Sequence, residues 1–186
     1  KAVKEDRDSR VLYAGPLVVL TSRFSASASE IVAAALEVYG RAIIVGDAST
    51  HGKGTVQAPS LLKPFMVPRS DETKDPGLLK YTVSKFYRAN GESTQLKGVA
   101  SDIVLPSVLN HSTDFGESSF DYPLPWDTIE SAQFDRVNMV EPYKAALTER
   151  SRARVAADKD FDYVREDIQQ YEKMQADKSI SLNEEK

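Results

Sequence analysis

The stretch from Pro16 to Gln57, PLVVLTSRFSASASEIVAAALEVYGRAIIVGDASTHGKGTVQ, limits what this chain can fold into more than any other. Leu17–Leu20 and Ala42–Val45 are unbroken apolar runs of strand length. Between them, Glu30–Tyr39 is apolar at almost every position, which predicts a helix buried all round. Strand, helix and strand in that order make a β-α-β unit, whose two strands run parallel and whose loops gather at one end of the sheet, where α/β proteins bind ligands. Both loops carry more polar groups than a connection needs. The first offers Ser25, Ser27 and Ser29 at the start of the helix, and the second offers His51, Gly52, Lys53 and Gly54.

A serine is a weak nucleophile until a neighbouring base takes its proton. The chain has no cysteine, which excludes thiolate catalysis and disulfides, and its two histidines, His51 and His111, lack paired metal-ligand spacing. A lysine can act as the base if its pKa falls from about 10.4 toward about 7 or 8, at roughly 3–5 kcal/mol of lost ammonium stabilisation. Glycines on both sides of Lys53 allow a close backbone approach, and the amino end of the preceding helix disfavours a nearby ammonium. Bland readings stand beside this one. Ser27 and Glu30 satisfy the S-x-x-E capping box, so Ser27 could serve only as a helix cap, and Lys53 alone reads as a solvated loop lysine. His51 reads as an exposed bystander. A phosphate-binding loop at Gly46–Gly54 (GDASTHGKG) fails on spacing: five residues separate Gly46 from Gly52, and Gly54 follows the lysine where Ser or Thr is needed.

Two segments carry a resemblance. Phe24–Glu30, FSASASE, and Gly52–Gln57, GKGTVQ, are similar to the serine and lysine motifs of the tail-specific, or carboxy-terminal-processing, serine peptidases. The likeness continues through Tyr81–Pro106 and more weakly into the tail. It implies a layered β-β-α core of the crotonase or Clp-protease kind and endoproteolysis by a Ser-Lys dyad. It implies Ser27 as nucleophile, Lys53 as base, the Ala28 amide as oxyanion donor and Gln57 as the residue orienting the lysine. Lys53 lies 26 residues after Ser27, one more than in the relatives, with the extra residue in the loop Asp47–His51. Where some relatives place an aspartate eleven residues after the serine, this chain has Val38, with Glu37 beside it. The resemblance further implies protein or peptide substrates with apolar carboxyl termini, no cofactor or metal, and residence in the bacterial periplasm or cell envelope. It implies a PDZ domain and a glycine-rich oxyanion stretch upstream of these residues, and it leaves a homo-oligomer or an adaptor open. A non-catalytic binding module on the same fold is the alternative.

The remaining sequence fits a catalytic core with an appendage. An apolar content of 41% supports one packed core, and a net charge of −4 gives no reason to expect nucleic acid or an anionic membrane as partner. No apolar run approaches the roughly 18 residues of a membrane helix. Lys1–Arg10 reads as a charged lead-in, and Thr55–Leu62 as a further strand. Lys63–Lys80 reads as a flap, Tyr81–Arg88 as a strand turned at Ala89-Asn90-Gly91 into Ser93–Lys97, and Asp102–Leu105 as a short last strand. The expected division is a peptidase core over residues 1–106, a linker over 107–126 and a helical extension over 127–186. In the extension, Pro142–Ala157 is rich in helix formers, and Phe161, Val164, Ile168, Tyr171 and Met174 fall at helical spacing. A helical hairpin packed on the core is the simpler reading and a charged interaction arm the other.

Overall fold

The computed structural model describes residues 8, 10–65, 75–177, 179, 182 and 183. The lead-in and the middle of the flap lie largely outside them. The elements that place the loops are β1 (Val18–Thr21), α1 (Ala28–Val38) and β2 (Ile43–Gly46). β1 and β2 pair in parallel, Val18 opposite Ile43 through Thr21 opposite Gly46. The β-α-β unit expected from the sequence is therefore present. Further along, β3 (Thr55–Leu61) and β4 (Leu78–Lys85) form an antiparallel pair. β5 (Ile103–Val104) joins the other side of β2, again parallel, so the first sheet has the order β1-β2-β5.

Side-chain alternation along β2 explains the layers. Ile44 points to one face and packs with Ala33 and Ala34 of α1, Val99 and the half-buried Val19. Ile43 points to the other, where it meets Ile103, Val140 and the half-buried Val45, Leu105 and Leu147. Leu147 belongs to α2 (Glu141–Ala157), so the parallel sheet lies between α1 and α2. Small alanines on the inner side of α1 let the helix sit close to the sheet. Gly40 ends it: at φ +64 the chain enters the left-handed region, Gly40 N donates to Glu37 O, and Arg41 N donates to Leu36 O.

The helix is not buried all round. Ile31 is 45% and Val32 58% exposed, because the sheet covers only the side carrying Ala33 and Ala34. On β1, Val19 packs under α1, while Val18 and Leu20, opposite Ile43 and Val45 on the face that α2 partly covers, are left exposed. The segment after Gly91 also differs from expectation. Tyr87 and Ser93 form an isolated bridge, and Gln95–Lys97 then turns back instead of extending as a strand. The sequence signal was sound as far as the turn, but the amides beyond it are used elsewhere, as described below. α3 (Lys159–Asp177) follows α2 after the single extended residue Asp158, and Glu172 meets His111 at 2.8 Å.

Candidate active site

Ser27 stands at the turn from β1 into α1 with φ 57° and ψ −110°. A side chain with a Cβ rarely adopts that conformation, and it persists only where its surroundings hold it. A sharp, strained strand-to-helix turn of this kind presents a serine hydroxyl clear of the backbone. Ala28 is the first helical residue, so its N–H has no acceptor within the helix.

Glu30 holds this turn. Its side chain is fully buried, and Ser27 N donates to Oε2 at 2.8 Å. That much is the helix cap anticipated from S-x-x-E. The same carboxylate also receives three donors from the second loop: Thr50 Oγ1 at 2.6 Å, Gly52 N at 2.6 Å and Lys53 N at 2.9 Å. One buried side chain thus fixes the serine turn against the lysine loop. Gly52 is needed for that approach. It sits at φ +93, and a Cβ there would come within 2.9 Å of the Leu96 backbone.

Every amide from Thr50 to Gly54 is engaged. Thr50 N donates to Val99 O at 3.1 Å and His51 N to Ser25 O at 2.9 Å, while Gly52 and Lys53 donate to Glu30. Gly54 N donates to the Gln95 side chain at 2.9 Å. In return Leu96 N donates to Gly52 O at 2.8 Å, which holds the turn at Gln95–Lys97 against this loop, and the engaged amides of Thr50–Gly54 leave no ring of N–H groups to cradle a phosphate. The strand β3, rather than a helix, follows Gly54.

Lys53 itself is half-buried, and its Nζ donates to Gln57 Oε1 at 3.2 Å. The β3–β4 register shifts between Val56 and Gln57, the kind of irregularity that re-aims a side chain beside a site. Glu37 lies elsewhere, bound to Arg88 at 2.9 Å. Burial raises its pKa above the ordinary carboxylate value, against the lowering effect of the Arg88 charge.

Ala26, Lys53, Thr55, Gln57 and Thr82 help line an open cleft of about 470 Å³. His51, Glu117, Phe120, Tyr122, Pro123 and Leu124 complete its lining. His51 is not an exposed loop residue: its side chain is 23% exposed and its Nδ1 is 3.8 Å from Glu117 Oε2. The sequence pointed to the serines, Lys53 and Gln57 but missed the long-range role of Glu30, and missed Gln95 and Glu117 altogether. No local pattern marks these, because their partners lie 20 or more residues away in the chain.

Comparison with known proteins places the chain in a family. Residues 1–105 match Peptidase family S41, and residues 111–186 match the C-terminal domain of tail specific protease. The chain is 42% identical over 97% of its length to a tail-specific protease of Haemophilus influenzae, covering 26% of that protein. It is 39% identical over half its length to a carboxy-terminal-processing protease of Bartonella bacilliformis, covering 19% of it. Against the chloroplastic carboxyl-terminal-processing peptidase 3 of Arabidopsis thaliana it is 40% identical over 47% of its length, covering 15% of that protein. The chain thus spans about a quarter or less of the curated relatives it matches. With more than half of its residues matching the family and two relatives of the same kind, the chain belongs to peptidase family S41, the serine-type carboxy-terminal-processing peptidases.

Proposed function

We propose that these residues carry the chemistry of a serine endopeptidase that cuts proteins near their carboxyl termini. Ser27 Oγ attacks the scissile carbonyl carbon while its proton passes to a neutral Lys53 Nζ. The Ala28 N–H, at the amino end of α1, donates to the oxyanion. Collapse of the tetrahedral intermediate breaks the C–N bond, and Lys53 returns the proton to the leaving amine. Water then attacks the acyl-serine, with Lys53 taking and returning a proton in the same way. Gln57 orients the ammonium or amine through Oε1.

The observation that carries this reading is the Glu30 carboxylate, which binds the amide of Ser27 and the amide of Lys53 together in a buried site. A helix cap alone has no need of the second loop, and a solvated loop lysine has no need of a fully bonded backbone. The same rigidity weighs against a binding module whose dyad is never assembled.

The wider reading follows the family. Substrates are proteins or peptides with apolar carboxyl termini, selected in the longer protein by a PDZ domain. The compartment is the bacterial periplasm or envelope, and a homo-oligomer or adaptor can accompany the enzyme. The strands belong to a layered β-β-α core over residues 1–106, joined through 107–126 to the helices of 127–186. A fluorophosphonate reagent tests the chemistry. It should modify Ser27, located by peptide mass spectrometry, and Lys53→Ala should suppress that modification. Modification of another serine, or labelling indifferent to Lys53, would remove the dyad.

A further inference from the structure

We propose that Glu117–Leu124 forms a substrate-selecting wall of the candidate active site, in which Phe120, Tyr122 and Leu124 receive an apolar side chain of the substrate next to the bond that is cut. This rests on the dyad reading above and adds a specificity element from outside the serine and lysine motifs.

The cleft lining combines two chemistries. Lys53, Gln57, Thr55 and Thr82 supply polar groups, while Phe120, Tyr122, Pro123 and Leu124 supply an apolar surface. Tyr122 is 96% exposed and Phe120 58%, although both are large and lie beside a lysine held for chemistry. Aromatic side chains left open in a cleft, with a few polar groups in the same lining, are the ordinary makings of a binding pocket. At about 470 Å³ the cleft also has the volume of one, since such pockets run to about 300–1,000 Å³. Its continuity with Lys53, and with Ala26 next to Ser27, identifies the occupant as the polypeptide being cut.

The wall is fixed at both ends to the turn that holds the lysine loop. At the first end, Gln95 Nε2 donates to Glu117 Oε1 at 3.0 Å, while Gln95 Oε1 accepts from Gly54 N. Glu117 N also donates to His51 O at 2.8 Å. At the second, Trp126 Nε1 donates to Ser93 O at 2.9 Å, and the Lys97 ammonium lies 3.3 Å from the centre of the Trp126 ring. Lys85 Nζ secures Pro125 O at 3.1 Å and Asp127 Oδ1 at 2.7 Å. Phe120–Leu124 is therefore a strap strung between anchors, one of which, Glu117, shares Gln95 with Gly54, the residue after Lys53. A loop that served only to connect two regions would not need to be tied at both ends to the catalytic loop's own support.

The test uses the full-length protein and a set of peptides that differ only at the two residues flanking the scissile bond, each set to Ala, Val, Phe or Asp. Wild type should favour Val or Phe over Ala at one of the two positions, by about tenfold or more in kcat/KM. Phe120→Ala and Tyr122→Ala should flatten that preference about tenfold, mainly through KM, while fluorophosphonate labelling of Ser27 persists. Phe120→Leu guards against misfolding and should shift the preferred size rather than abolish selection. Unchanged preference at both positions in all three variants would overturn the proposal, as would loss of labelling in step with cleavage, which marks the strap as structural only. Failure of the dyad itself reads out separately, as cleavage that survives Ser27→Ala in the wild-type strap.

Discussion

Glu30 is the residue on which the two loops depend. Its two oxygens accept four donors, two at each: Thr50 Oγ1 and Gly52 N at Oε1, Ser27 N and Lys53 N at Oε2. A carboxylate matches this arrangement because it offers acceptors only. Glu30→Gln must turn an NH2 toward one pair, and since at least one member of each pair is an amide N–H, either orientation leaves donor against donor. An unpaired buried donor costs about 1–3 kcal/mol, so we expect Glu30→Gln to lose roughly 3 kcal/mol in urea unfolding and to reduce turnover with it. A variant with wild-type midpoint and wild-type kcat would show that the carboxylate is dispensable. The sequence showed only half of this. S-x-x-E is complete with Ser27 alone, so nothing near Glu30 announces the second loop. Ser27, Lys53 and Gln57 stand out in the sequence because their motifs are contiguous, and in the structure Gln57 meets Lys53 four residues away.

Among the elements, α2 is docked by a charge pair as well as by the packing of Leu147. Asp102 Oδ2 accepts Ile44 N at 2.9 Å and its Oδ1 meets Lys144 Nζ at 2.7 Å, so a side chain between β2 and β5 also holds the helix. Burial pushes the Lys144 pKa down, but the hydrogen bond and charge of Asp102, aided by Glu141, outweigh it, and the net shift is upward from 10.5. A lysine whose pKa is raised on folding contributes stability that is complete below its unfolded pKa and is lost as pH rises through the folded one. Lys144→Met should therefore lower the unfolding midpoint at neutral pH, and the difference from wild type should close at pH values above the raised pKa. A gap of constant size across that range would mean that Lys144 acts through packing alone. The elements themselves were readable where a period or an apolar run defined them: β1, α1, β2 and both terminal helices. The outer side of α1 misled, since Ile31 and Val32 are as apolar as Ala33 and Ala34, yet only the latter face the sheet. The stretch 107–126 has no period at all, so its hold on the lysine loop through Glu117 was invisible.

For the whole molecule, the exposed apolar residues Val18, Leu20, Ile31 and Val32 and the quarter-length match to the Haemophilus influenzae protein bear on activity. Tested alone on an unfolded polypeptide with an apolar carboxyl terminus, these 186 residues should turn over far more slowly than a polypeptide of the relatives' length. A further oxyanion donor in the longer polypeptide would be worth about 100- to 1,000-fold in turnover, and remote binding there would help position the scissile bond. Equal rates would mean that this chain supplies a complete oxyanion hole and groove by itself. The central claim is the Ser27–Lys53 dyad, and it is tested most directly by turnover of Ser27→Ala, Lys53→Ala and the double variant in the full-length protein, each checked for folding. Residues that act as one unit lose activity together, so each single variant should abolish cleavage and the double should be no worse than either. Turnover by Lys53→Ala close to wild type, or losses that multiply in the double variant, would contradict it.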